Sequence, residues 1–152
     1  MRHQNPHWPY AANLAYGVTT AHDPYSSPGA VIYGELVEGG DLVGPRMLGT
    51  GPGIRIEELI DSPLEAGNVL ERVVQAYGNA TIKEYVVGNR LKRQWFLQAA
   101  HDLGLKTTVE GDENLKLNIN QAIDGYSGVE HTLVHTPLYR DVRELFARLR
   151  IH

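Results

Sequence analysis

Glycines recur along this chain at the spacing of a strand-plus-helix unit. Gly17, Gly44, Gly78, Gly104 and Gly125 lie 27, 34, 26 and 21 residues apart, close to the ~30 residues of a βα unit. Each ends a helical pattern or opens a strand, and five or six residues later comes a strand end: His22, Gly49, Lys83, Glu110 and His131. The clearest unit runs from Asn79 to Gly111. An apolar strand, Ala80–Val87, leads to a helical run, Leu91–Leu103, and then to a second strand, Lys106–Glu110. Two β-branched strands joined by one helix of about four turns read as a parallel crossover. Repeating βα units predict an α/β protein with a parallel sheet. Its five strand candidates (Val18–His22, Gly44–Gly49, Ala80–Val87, Lys106–Glu110 and Val129–His131) fall short of the eight that close a barrel. No sixth strand is expected before His152.

The helices are punctuated where physics requires it. Ser62-Pro63-Leu64-Glu65 is a capping box, and its helix places Ala66, Val69, Leu70, Val73 and Tyr77 on one stripe before Gly78 stops it. A short helix is expected over Tyr10–Tyr16, and another from a Ser27 cap and Pro28 through Leu36. Thr50–Asp61 reads as a long loop. Leu91, Trp95, Ala99 and Leu103 form the stripe of the next helix, with Lys92 and Arg93 as solvated surface. Asp112 is the expected cap of a helix carrying Leu115, Ile119, Ala122 and Ile123 inward. Thr136-Pro137 opens the last one, with Leu138, Val142, Leu145, Phe146 and Leu149 on one face.

Composition removes several functions. The net charge is −4 and no Lys/Arg cluster covers a face, which argues against a nucleic-acid partner. With no cysteine there is neither a disulfide nor a thiolate metal site. No apolar run reaches the roughly 18 residues of a membrane span. The start, Met1–Pro6, has no apolar h-region, so neither a membrane partner nor a signal peptide is expected, and a soluble protein is. The 152 residues make one domain with a real core.

Three ionisable residues fall near the ends of consecutive strands: Lys83, Glu110 and His131. Converging oxygen and nitrogen donors of this kind suit Zn²⁺, Mn²⁺ or Fe²⁺. The structural alternative pairs Glu110 with Lys83 and leaves His131 as a hydrogen-bonded core histidine. His22-Asp23 is either a base with its orienter or the start of a turn. Gly49-Thr50-Gly51-Pro52-Gly53 offers backbone N–H groups to an anion, but it lacks the lysine of a P-loop and the helix start of a dinucleotide site.

Ala12–Pro24, with its Gly17-Val18-Thr19-Thr20-Ala21-His22-Asp23-Pro24 run, resembles the second-strand signature of the amidohydrolase superfamily, in its imidazolonepropionase- and prolidase-like branch. Gly44-Pro45-Arg46 before Gly49-Thr50-Gly51, then Ile82-Lys83, then Val129-Glu130-His131 follow in the same order. The resemblance covers essentially the whole chain. It implies a partial TIM (β/α)₈ barrel, strands two to six, from a metal-dependent hydrolase of amide or peptide-like bonds. By the same resemblance Lys83 matches the fourth-strand lysine that some members carboxylate, and His131 matches the sixth-strand metal histidine. Glu110 stands where most members have histidine, which makes it a variant ligand. The implied metal is zinc. The first-strand His-x-His and the eighth-strand aspartate have no counterpart in this sequence, so the chain alone is expected to be inactive. It is further expected to form a homo-oligomer or belong to a larger chain. The competing class is a non-catalytic α/β module, structural or binding a small ligand.

Overall fold

A computed structural model describes residues 8–26, 28–86, 88–133 and 135–152. The lead-in Arg2–His7, the cap expected at Ser27 and the strand end expected at Val87 lie outside the described residues. The elements in chain order are α1 (Trp8–Ala15), β1 (Thr20–Asp23), α2 (Pro28–Glu38), β2 (Arg46–Gly49), β3 (Ile54–Arg55), α3 (Ile56–Leu59), α4 (Pro63–Tyr77), β4 (Thr81–Val86), α5 (Arg90–Asp102), β5 (Lys106–Val109), α6 (Leu115–Asp124), β6 (Gly128–Val129) and α7 (Arg140–Leu149). All pairing is parallel. β1 pairs with β2, and β3, β4, β5 and β6 follow one another in a second sheet. The protein is therefore α/β, with parallel strands in two sheets whose order never reverses. The glycine stops hold: Gly17, Gly78, Gly104 and Gly125 all take positive φ behind a helix, as C′ positions favour.

Register decides which side chains meet. Lys83, Thr108 and Gly128 form one row across β4, β5 and β6, and Glu84, Val109 and Val129 form the next. Successive strand residues point to opposite faces. Ile82 and Glu84, both fully buried, therefore face one way, with the core, and Lys83 the other. The main core gathers Ile54, Ile56, Ile60, Leu70, Ile82, Phe96, Val109 and Tyr126. Ser62 caps α4 by accepting the Glu65 N–H at 3.2 Å, and the Glu65 carboxylate accepts the Asp61 N–H at 2.7 Å. The return bond thus reaches one residue before the cap.

Several expectations are corrected. The loop at Thr50–Asp61 contains β3 and α3, because Ile54, Ile56 and Ile60 all enter the core. α5 buries Arg93, Phe96 and Ala100, while Leu91 and Leu103 stay exposed. Arg93 is accommodated inside because it donates to the Gly88 carbonyl and lies 3.8 Å from the buried carboxylate of Asp124. α6 starts on Asn114, which accepts from the N–H groups of Lys116 and Leu117, while Asp112 receives the Asn114 N–H. Its buried side is polar, Asn118 and Gln121 beside Ala122, and Ile123 faces outward. α7 begins at Arg140, after a Tyr139 cap without a side-chain bond. β6 ends at Val129, so His131 lies beyond the strand.

The edge of β6 is also occupied. After α7 the His152 N–H donates to the Ser127 carbonyl at 3.4 Å, and its own carbonyl accepts the Val129 N–H at 3.0 Å. That is the bond pattern of a parallel neighbour opposite Gly128. A Cβ on Gly128 would lie 2.3 Å from the His152 ring, so a side chain there would require that ring to move. No strand follows α7, as expected, but His152 bonds to both sides of Gly128, so the edge of β6 is not fully open.

Candidate functional site

Lys83 is the third residue of β4 rather than its end, Glu110 directly follows β5, and the turn after β6 brings His131 beside Glu110. Lys83 Nζ lies 2.6 Å from Glu110 Oε2, and His131 Nε2 meets Glu110 Oε1. The three residues singled out in the sequence thus form one chain of contacts, with Glu110 in the middle. Lys83 is 5% exposed, Glu110 27% and His131 67%. His131 is therefore not a core histidine. Its backbone takes φ +68, a left-handed conformation that costs a non-glycine residue about 1–2 kcal/mol.

Burial pushes the Glu110 carboxyl up, but the Lys83 ammonium and His131 beside it more than offset this and hold it below the usual carboxylate range. Glu110 is thus an anion that holds a buried ammonium on one oxygen and orients an imidazole with the other. Removing one partner of such a pair costs about 3–5 kcal/mol, because the other is left buried and uncompensated.

Two neighbours had no distinct signal in the sequence. Thr108, in register with Lys83, donates its hydroxyl to Glu130 Oε1 at 2.5 Å. Tyr85, two residues beyond Lys83, has its ring centroid 5.8 Å from Lys83 Nζ. Strand alternation places Tyr85 on the Lys83 face; nothing local links Thr108 to Glu130, 22 residues apart.

The metal expectation meets a shortfall. A catalytic zinc takes three protein ligands. Among the described residues no group of three His, Cys, Asp or Glu is placed to hold an ion. Glu110 and His131 supply two donors, and both Glu110 oxygens already face partners. Among the described residues, Glu110 and His131 thus fall short of the three ligands of a catalytic zinc.

The remaining candidates lie elsewhere. His22 is exposed on β1, and Asp23 accepts the Tyr25 N–H at 3.1 Å, which is the turn-starting role. Both line a cavity of about 790 Å³ between α2, β2 and the start of β4, whose lining does not include Lys83, Glu110 or His131. The glycine loop is not a free anion cradle. The Gly51 N–H donates to Ser26 Oγ at 2.8 Å and the Thr50 N–H to the Asp23 carbonyl at 3.2 Å. His135 is exposed in the segment before α7.

Compared with known protein families and with curated proteins, the chain matches none. No described helix is long and apolar enough to cross a membrane.

Proposed function

We propose that the chain is the strand-two to strand-six portion of an amidohydrolase-type (β/α) barrel, from a metal-dependent hydrolase of amide or peptide-like bonds. The observation that carries this reading is the meeting of Lys83, within β4, with Glu110 and His131, which lie just past β5 and β6. Carboxyl ends of parallel strands are where such barrels keep their chemistry. The unreversed strand order, continued by His152 beside β6, supports a barrel rather than a doubly wound sheet. On this reading Glu110 orients the His131 imidazole, as carboxylates do for metal-bound or base histidines. Lys83 is held in place by the same carboxylate. Substrate is a small molecule or peptide-like amide.

A divalent ion, zinc first, binds this chain weakly through His131 with Glu110 or Lys83, leaving most of its coordination to water. Zinc measured after dialysis is expected to be substoichiometric and lost in His131→Ala. Tight stoichiometric zinc that survives His131→Ala would contradict the reading. A longer reading frame with an upstream His-x-His and a downstream strand-ending aspartate would support catalysis by the larger protein. The second reading, a non-catalytic α/β module, is favoured by one fact: both Glu110 oxygens are already engaged. Complete failure to bind zinc at millimolar concentration would favour it.

A further inference from the structure

We infer that the groove between the second half of α4 and the β3–α3 segment binds a small monocarboxylate with an aromatic body, its carboxylate on Arg72. The groove follows from the lengths of the elements. α4 carries its apolar stripe as far as Tyr77, but α3 stops at Leu59 after four residues. Ala66, Val69 and Leu70 are buried, whereas Val73 and Tyr77 remain half-covered and leave a hollow of about 280 Å³.

Its walls are apolar. Ile54 and Val69, 2% and 6% exposed, form the floor, and Leu59, 49% exposed, the rim. A cavity of ~150 Å³ lined by apolar side chains is enough to take up benzene, so this volume suits one ring with a short tail. Gly51 backs the far wall, since a Cβ there would lie 3.3 Å from the Tyr77 ring. Tyr77 divides the groove from the cavity of about 790 Å³ beside α2 and β2, which it also lines.

Charge identifies the occupant. Arg72 is the one charged residue in the groove's lining and, among the described residues, has no hydrogen bond or ion pair. The positions three and four residues away on α4 are Asn68, Val69, Gln75 and Ala76, so no acid of its own helix faces it. A guanidinium beside an apolar hollow matches a carboxylate joined to an apolar body: the fork takes the two oxygens and the hollow takes the ring. The larger cavity has the opposite preference, because Asp23, Glu35 and Glu38 outnumber Arg46 in its lining. Lys83, Glu110 and His131 do not line the groove, so this site goes beyond the hydrolase reading and does not depend on it.

The test is an NMR titration of the full chain with 3-phenylpropionate, its neutral amide 3-phenylpropionamide, and acetate, following the methyl signals of Leu59 and Val73. 3-Phenylpropionate is expected to move both and to bind about three- to fivefold more tightly than the amide. Acetate, with no ring to bury, should bind more weakly than either. Arg72 is exposed, so Arg72→Gln should remove the preference for the acid without unfolding the chain, and Arg72→Lys should retain part of it. Ala76→Phe, at an exposed position that lines the groove, should fill it and weaken both aromatic probes. Equal affinity for acid and amide, a preference that survives Arg72→Gln, or unmoved methyl signals would overturn the inference. So would probe shifts at Val31 and Met47 instead, which would put the ligand in the larger cavity. Signals that follow protein concentration rather than probe would give the groove to a second copy and overturn it as well.

Discussion

Glu84 occupies the face of β4 opposite Lys83 and is fully buried. Burial pushes its carboxyl up from 4.5 to about 7, against the hydroxyl of Tyr126 and the Gly88 N–H, which both donate to it. The Tyr126 hydroxyl is itself pushed well above its ordinary value by burial and by Glu84, so it stays a donor. Below about 4.5 the folded and unfolded chains both hold the Glu84 proton, and the full stability is present. As pH rises toward 7 the unfolded chain releases that proton more readily, so stability falls, by roughly 3 kcal/mol at most. Urea denaturation between pH 4.5 and 8 should show this decline, and Glu84→Gln should flatten it. A wild-type slope unchanged by Glu84→Gln would assign the decline to other groups. His131 poses a separate residue-scale question, because alanine is as strained as histidine at its left-handed φ and glycine is not. His131→Gly should therefore be more stable than His131→Ala by about 1 kcal/mol, although both lose the imidazole. Equal denaturation midpoints would mean that the left-handed turn carries no strain.

At the level of elements, α5 shows where sequence pattern reaches its limit. Leu91, Trp95, Ala99 and Leu103 have helical spacing, but so do Arg93, Phe96 and Ala100, and the second set is buried. An arginine reads as surface until its partner is known, and Asp124 lies 31 residues away at the end of α6. Asn118 and Gln121 mislead in the same way, since buried polar side chains on α6 give no apolar period. Local signals fared better. Ser62 caps α4, glycines stop four helices, and the neighbouring strands β4 and β5 bring Lys83 and Glu110 together, although Lys83 lies within β4 rather than at its end. The site was legible as far as strand ends dictate it. The groove beside Arg72 and the Thr108–Glu130 bond were not, because both depend on contacts between separate elements. The corrected face of α5 has a direct check by chemical denaturation. Phe96→Ala should cost about 3–5 kcal/mol, whereas Leu91→Ala should cost less than about 1; the reverse order would restore the leucine stripe.

For the whole molecule, the main core begins at Ile54. The earlier elements form a smaller assembly around Tyr33, which stacks on Tyr10 at 4.1 Å. That region leaves Trp8, Tyr16, Ile32, Val43 and Leu48 largely exposed. β1 is an edge strand, and edge N–H and C=O groups template pairing with other chains. The chain on its own is thus expected to self-associate. Light scattering across a micromolar dilution series should show mass rising with concentration, and a constant monomer mass would refute this. The unreversed strand order has a consequence for how the molecule is made. Paired residues lie from 20 positions apart, at Thr108 and Gly128, to 31, at Arg55 and Val86. Each closure is short and of similar entropic cost. A strand leaving the ribosome finds its neighbour already synthesised, so the sheet can grow vectorially, one strand at a time, from β3 toward His152.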